Sequence, residues 1–571
     1  MRTRLPITLA AVGLALAGAL FGAVLFKHLA HPLLWNDEAL TAVFGERVLA
    51  YGYPKVHGPK NAHYPMHHDL SVGVKEGLDA YVGSPWLQYF FAAPAVAWAA
   101  GADEIYARTF RLRLPFALAG AAGVAVVLWT GLLSLEGGAR RALFALLFLL
   151  LASYSVSLIL HLREVRYYPL VVLFGACALH VTVRHRLRGD LGTAAYTVAL
   201  AALLFLLFNT FYLAFVGLAL GLGVHAVGSA LREGGPAGPR LRRLAGDLLP
   251  LLVAGVAVLP LLAFYDTFGV VGAFAEAFHG PKNAYGNKLR WLLESLLRYE
   301  LLAPVVAFRL AVVIQLALGG DPARPPGFAL RLRLANLLGV VIVCYAPVVA
   351  AAPFFYERYS ILLSPLLTLL LLLDAFSLVD LLTGAPARRR GVAIASLAVG
   401  LACLVGNLWV RLPEFRGRIA EIRHLYRGPL DFVIPHLLRT YAHPERLVIA
   451  TNYEDPSLRY YLGSWVVVGW FNPDLAHDLL FDPDVIIPRA GRMHREVLTY
   501  LAERGEHTGR GTYTSRRFDV ADLAANNVPS LAPWNHSRWV HHFETVRPGE
   551  DDRGALVILE RPVTRASAPG W

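Results

Sequence analysis

Apolar residues run through the first 410 positions in blocks of about twenty, separated by short stretches in which arginine recurs. A helix of roughly 20 apolar residues crosses a bilayer. The pattern therefore predicts eleven spans, at about 6–27, 114–135, 141–160, 168–183, 192–209, 212–230, 247–268, 296–318, 334–352, 359–381 and 392–410. One further run, Pro85 to Ala100, is shorter and carries Trp86, Tyr89, Phe90, Phe91 and Trp98, residues that favour headgroup depth. It reads as an interfacial or re-entrant helix. Beyond Arg411 the apolar runs shorten while prolines and charges rise, so residues 412–571 are expected to form a soluble α/β domain behind a transmembrane domain of residues 1–411. There Arg446-Leu-Val-Ile-Ala450, Trp465-Val-Val-Val468, Val485-Ile-Ile487 and Ala555-Leu-Val-Ile-Leu559 read as strands, and Pro456 to Leu462 as a helix. There is no internal repeat, and Glu233 to Pro239 reads as a flexible connection.

Composition agrees with an α-helical polytopic membrane protein: only 16% of the 571 residues are charged and mean hydropathy is +0.49. The first run follows Arg2 and Arg4 like a signal peptide. It lacks a convincing small-residue cleavage site and is long enough to span, so a retained signal-anchor is expected. Net charge is +12, but the arginines sit in short loops between apolar runs, which records membrane orientation and argues against nucleic acid. If Pro85 to Ala100 does not span, the loops with Arg140-Arg141, Arg184/Arg186/Arg188, Arg232/Arg240/Arg242/Arg243, Arg324/Arg331/Arg333 and Arg388 to Arg390 share the side of Arg2 and Arg4, the cytoplasm. Residues 28–113 then form a large non-cytoplasmic loop. The turns His161 to Tyr168 and Phe354 to Tyr359, the loop around Glu276 to Arg290, and residues 412–571 lie on that same side. Cys177, Cys344 and Cys403 all lie inside apolar runs, which provides neither a disulfide framework nor zinc spacing. Abundant Leu, Ala and Arg with few Lys and Met suggest a GC-rich bacterial genome, hence the inner membrane with a periplasmic outer face.

Within the first outer loop stand two adjacent carboxylates, Asp37 and Glu38. Carboxylates at a bilayer boundary are costly to desolvate. One reading is a helix cap. The other is a general base that takes the proton from an attacking hydroxyl, with the neighbouring carboxylate orienting it or raising its pKa. Arg163, Arg166 and Tyr167 end the third span on the side where the charge rule does not place arginine. A lipid phosphate held bidentately explains them; an ion pair with Glu164 tying two loops is the alternative. Arg358-Tyr359 is similar, and Lys282 and His279 could add charge from a third loop. The stretch Tyr53 to Asp69 is dense in histidine. Lys60, His63 and Tyr359, with His279, are candidate lining for an acceptor or donor pocket, and His63, His67, His68 and Asp69 for a divalent metal such as zinc or manganese. The spacing matches no defined metal motif, and a polar loop around a phosphate-sugar pocket is the competing reading. Trp534-Asn-His-Ser-Arg-Trp539 offers sugar-stacking rings or merely core aromatics.

Taken in order, these segments resemble the GT-C class of polyprenyl-phosphate-sugar glycosyltransferases, the group related to protein O-mannosyltransferases and the lipid A aminoarabinose transferase. Trp35-Asn-Asp-Glu-Ala39 resembles the acidic pair of the first outer loop, Gly83-Ser-Pro-Trp-Leu-Gln-Tyr-Phe90 the proline-aromatic interfacial helix, and Arg113-Leu-Pro115 the opening of the next span. Arg163 to Leu170 is similar to the arginine-rich turn, and Arg358-Tyr359 with Pro365 to the late Arg-Tyr-Pro signature. The resemblance covers about residues 5–410. It implies inverting transfer from a polyprenyl-phosphate sugar to a glycan, lipid or protein acceptor, with Asp37 as base and the outer basic residues on the donor phosphate. The histidine-rich insert departs from the lipid A and protein-transferring members, so acceptor identity does not carry over. Residues 412–571 match no motif of the class and are expected to recognise an acceptor or brace the catalytic loop. Two other readings stand beside this one, a transporter or flippase of polyprenyl-linked substrates and a scaffold presenting the final domain. Asp374 and Arg309 are the main charged intrusions a transporter would exploit.

Overall fold

The structure, a computed structural model, describes residues 4–57, 73–233, 236–277, 280, 284–318, 325–353, 356–383, 387–451, 454–467, 483–489, 513–522, 547–549 and 554–561. Its helices are α1 (Arg4–Phe26), α2 (Asn36–Tyr51), α3 (Leu87–Ala100), α4 (Ile105–Leu132), α5 (Gly138–Tyr154), α6 (Val156–Leu162), α7 (Tyr168–Thr182), α8 (Thr193–Phe208), α9 (Tyr212–Arg232), α10 (Ala237–Phe264), α11 (Thr267–Ala277), α12 (Tyr285–Arg298), α13 (Leu302–Ala317), α14 (Phe328–Ala350), α15 (Leu363–Thr383), α16 (Ala387–Arg423), α17 (Leu430–Thr440) and α18 (Asp455–Leu462). The strands are β1 (Val74–Lys75), β2 (Ala80–Tyr81), β3 (Val448–Thr451), β4 (Trp465–Val467), β5 (Val485–Ile487), β6 (Thr514–Ala521) and β7 (Ala555–Glu560).

The described residues fall into two compact units, one built from α1 to Lys27 and Phe116–Ile419, the other from His28–Pro115 and the residues from Ala420 on. Among the described residues seven helices are long and apolar enough to cross a membrane, or nine when two bent pairs each count as one span. The apolar helices α1, of 23 residues, and α8, of 16, occupy the two remaining expected segments. The bent pairs depart from the straight spans expected: α5 and α6 meet at 81° around Ser155, and α12 and α13 at 78° around Glu300. In hydrocarbon a broken helix needs substitute partners for its freed backbone groups. Asn407 of α16 donates to Glu300 O at 2.8 Å and Leu297 O at 3.3 Å, and Arg411 donates to Tyr154 O at 3.3 Å.

Small residues let other helices approach closely. Gly217-Leu-Ala-Leu-Gly221 on α9 faces α14, where a Cβ would stand 2.9 Å from Tyr345 Cδ2 or 2.8 Å from Val341 Cα. This is the small-xxx-small packing of membrane helices, driven by dispersion where apolar lipid supplies no hydrophobic force. The two charged intrusions, Arg309 of α13 and Asp374 of α15, pair with each other at 2.9 Å, and Arg309 also donates to Asn336 Oδ1 of α14 at 2.9 Å. Arg140 and Arg331 both reach Asp380, the first at 2.7 Å, so arginines at helix ends also tie neighbouring helices together.

The second unit holds α2 against α3 through Leu40, Phe44, Val48, Val56, Tyr81, Tyr89 and Ala93. Helix α3 spans only 14 residues and contains Pro94, about 21 Å at 1.5 Å per residue, short of a roughly 30 Å hydrocarbon core. The five-stranded sheet has the order β4-β3-β5-β7-β6, parallel across β4, β3 and β5 and antiparallel from β5 through β7 to β6. Four of its strands coincide with the expected ones. Strand β6 was not expected: it is an edge strand that is exposed over Thr514 to Arg517 and buries only Val520 and Ala521 fully, so no alternating apolar pattern marks it.

Candidate active site

Two constellations, one in each unit, gather the candidate residues. In the second unit, Asp37 and Glu38 occupy the first turn of α2, where the helix macrodipole favours negative charge. Neither side chain caps the helix from outside, because the N-cap is Trp35 and it makes no side-chain cap bond. The two carboxylates diverge. Glu38 is fully buried against the equally buried Arg113, which donates Nε to Oε1 at 2.8 Å and Nη2 to Oε2 at 2.5 Å. Arg113 Nη1 also donates to Leu29 O at 3.1 Å and Pro32 O at 2.7 Å. The catalytic part expected of Glu38 thus meets a carboxylate with both oxygens engaged by a guanidinium, a geometry that orients a helix rather than moves a proton. Asp37 is half-buried on the adjoining position of the same turn, with Asn36 Nδ2 at 3.5 Å from Oδ1 and its backbone carbonyl accepting from Thr41 Oγ1 at 3.0 Å.

At the head of the histidine-dense stretch, His57 Nδ1 lies 2.6 Å from Asp79 Oδ1, and Val56 N donates to Asp79 O at 2.8 Å. That histidine closes a local loop beside β2. Lys60, His63, His67, His68 and Asp69 lie outside the described residues, as do His279, Lys282 and the Trp534 to Trp539 segment. Among the described residues no three His, Cys, Asp or Glu side chains gather as a metal site.

In the first unit, α6 ends at Leu162 and Pro169 occupies the first turn of α7, so the chain reverses through Arg163 to Tyr167. Arg163 is buried and donates Nη1 to Lys27 O at 3.3 Å, and Glu164 faces His161 at 3.2 Å within the same turn. Arg166 lies over the ring of Tyr167 at 5.6 Å. Tyr167 stacks on Phe211 at 4.9 Å, and Phe211 meets Tyr359 at 5.3 Å. Arg358, in the short 3₁₀ turn Glu357–Ser360, lies over Tyr356 at 4.2 Å and Tyr168 at 5.9 Å. The two arginine-bearing turns, almost two hundred residues apart in the chain, are thus joined through one aromatic cluster. Guanidinium groups held over aromatic rings keep their N–H donors in a fixed orientation, which suits an anionic partner.

Behind the turns lies a buried carboxylate that sequence patterning does not single out. Glu300 accepts from Ser364 Oγ at 2.9 Å and Ser155 Oγ at 3.4 Å, and the two serines stand 3.1 Å apart. Ser155 also accepts from Leu158 N at 3.4 Å as the cap of α6, and Ser364 lies in the first turn of α15 just past the Arg358 turn. Glu300 therefore joins the break between α5 and α6 to the first turn of α15. Lys288 is a second residue not anticipated: it shares the buried face of α12 with Trp291, Leu292 and Leu296, and its ammonium donates to Ala352 O just before the Tyr356 to Tyr359 turn. The amphipathic spacing of α12 was the available signal.

Together the described helices and strands define a multi-pass membrane protein with a small sheet-containing segment near its C-terminus. Its backbone matches the crystal structure of ArnT from Cupriavidus metallidurans in the apo state, with a TM-score of 0.51 over 96% of this chain and 97% of that one, at 15% identity. At that identity the likeness is one of fold. No protein-family profile and no curated protein sequence matches the chain.

Proposed function

We propose that the protein is a membrane glycosyltransferase of the inner membrane that moves a sugar from a polyprenyl-phosphate donor to an acceptor on the non-cytoplasmic face, with Asp37 as general base. The observation that carries this reading is the joining of the Arg163 to Tyr167 and Tyr356 to Tyr359 turns into one arginine-aromatic cluster in a chain with the fold of ArnT. Residues 1–411 supply the transmembrane catalytic domain, and residues 412–571 a non-cytoplasmic one.

The chemistry is a single displacement. Asp37 takes the proton of an acceptor hydroxyl or amine as that atom attacks the anomeric carbon from the face opposite the phosphate. The bond between the anomeric carbon and the phosphate oxygen breaks, its electron pair stays on the departing polyprenyl phosphate, and configuration inverts. Arg163, Arg166 and Arg358 stabilise the charge that grows on the phosphate. Glu38, locked to Arg113, keeps the first turn of α2 in place so that Asp37 faces the acceptor.

The test is transfer of radiolabelled sugar from a panel of polyprenyl-phosphate sugars into membranes holding the wild type or Asp37→Asn. Transfer by the wild type with a loss on the order of 10²- to 10⁴-fold in the variant supports the reaction and the base. Wild-type activity retained by a folded Asp37→Asn removes Asp37 from catalysis. Absence of transfer from every donor by a folded wild type favours a transporter or flippase of polyprenyl-linked substrates.

A further inference from the structure

The segment leading into α2 is buried yet irregular: Pro32, Leu33, Leu34 and Trp35 are all buried, and none lies in a helix or strand. Such backbone cannot be hydrated, so each of its polar groups needs a partner from the protein. The partners are side chains from three elements of the same unit. Arg113 takes the carbonyls of Leu29 and Pro32. Asp431 of α17 accepts from Leu33 N at 3.0 Å, while its other oxygen accepts from Gly428 N at 2.7 Å. From α18, Tyr461 Oη accepts from Leu34 N at 3.1 Å and Ser457 Oγ donates to Leu34 O at 2.8 Å. Proton inventory fixes the direction of the remaining bond. Thr109 Oγ1 donates to Ile105 O at 2.9 Å, so the Tyr461 hydroxyl, already accepting from Leu34, gives its proton to Thr109 at 2.6 Å.

Helix α18 is itself anchored. Glu454, at its N-cap with φ 64°, is held by Arg489 at the end of β5, and Arg489 Nε donates to Asp522 Oδ1, just past β6, at 2.5 Å. A continuous set of buried polar contacts therefore runs from the sheet through Arg489, Glu454 and α18 to Leu34, which stands next to the N-cap of α2 and its acidic first turn.

We infer that α17 and α18 form a backbone clamp on Leu33-Leu34 and that Ser457 and Tyr461 are positioning residues for Asp37, which gives the C-terminal domain a part in catalysis through the acidic loop. The inference rests on the reading of Asp37 as base. Loss of either hydroxyl frees one backbone group of Leu34, lets the segment shift, and swings the first turn of α2. Misplacement of a base by about 1 Å costs on the order of 10²-fold in rate, whereas donor binding, assigned to the other unit, is left as it was.

The experiment uses the full chain in lipid nanodiscs as wild type, Ser457→Ala, Ser457→Thr, Tyr461→Phe and Asp37→Asn. Two quantities are read: amide hydrogen exchange across residues 31–44, and kcat with KM for the donor. Expected are faster exchange around Leu33 to Asp37 in Ser457→Ala and Tyr461→Phe, a kcat lowered on the order of 10- to 100-fold, a donor KM within about twofold of wild type, and recovery of both readouts in Ser457→Thr, which keeps the hydroxyl. Unchanged exchange in both variants overturns the clamp. Faster exchange with unchanged kcat, alongside an inactive Asp37→Asn, overturns the positioning role and leaves the base in place. A wild type with no transfer overturns the glycosyltransferase reading instead, and the exchange rates then decide the clamp alone.

Discussion

Replacing Arg113 by methionine removes one guanidinium and strands three groups at once: the Glu38 carboxylate and the carbonyls of Leu29 and Pro32. Both side chains of the pair are wholly shielded from solvent, so water cannot take over. Removing one partner of a buried ion pair costs about 3–5 kcal/mol, most of it the penalty of an uncompensated charge. With a urea slope of about 2 kcal/mol/M, the unfolding midpoint of the region should fall by roughly 2 M. Pulse proteolysis of the protein in detergent, scored on fragments from residues 28–115, reads that midpoint. The double variant Glu38→Met/Arg113→Met removes both charges, and apolar replacement of a whole pair is close to neutral. It should therefore recover the part of the loss that comes from the unpaired charge, leaving the cost of the two carbonyls deprived of their donor, which the single variant bears as well. The reasoning fails if Arg113→Met unfolds within about 1 kcal/mol of wild type, or if the double variant is no more stable than the single one.

The remaining predictions concern the arginine cluster and the clamp. Arg358→Ala should lower kcat/KM for the donor by about 10- to 100-fold, the worth of a charge-assisted hydrogen bond, and Arg358→Lys should recover only a part because an ammonium offers neither the planar fork nor the stacking over Tyr356; full activity in the lysine variant would remove bidentate phosphate binding. Burial pushes the Asp431 carboxyl up to about 6, against the opposing pull of hydrogen bonds from Gly428, Leu33 and Tyr106 and the charge of Arg113. The folded chain therefore holds this proton between about pH 4 and 6 where the unfolded chain releases it, so the contribution to stability is present at low pH and lost as pH rises through that window. Unfolding free energies of wild type and Asp431→Asn, compared from pH 4 to 7, should diverge by on the order of 3 kcal/mol; parallel curves would contradict the assignment.

The spans were legible because each is a long block whose composition alone meets the requirement of a bilayer. The breaks at Ser155 and Glu300 were not, since an apolar block reads the same whether straight or bent. What permits the bend is Asn407 and Arg411 on α16, whose side chains reach the freed carbonyls only after folding. Adjacency marked Asp37 and Glu38 as a pair, but nothing local divides their labour. That depends on Arg113, which the resemblance noted as the opening of a span and the structure places on Glu38. Strand β6 escaped because an arginine-bearing edge strand has little apolar face to show. Tyr461 and Ser457 escaped for the opposite reason: their spacing on a short buried helix is ordinary, and only the backbone they meet gives them meaning.

The clamp also sets a schedule for biogenesis. Leu34 and Ser457 are 423 positions apart in the chain, which at about 5–20 residues per second is roughly 20–90 s of synthesis. The acidic loop emerges among the first segments made, and its clamp cannot close until nearly every span and the chain through Tyr461 have been synthesised. A chain stalled before Ser457 is therefore left with the backbone groups of Leu34 unpartnered by α18, and exchange across residues 31–44 would report whether synthesis has passed that point.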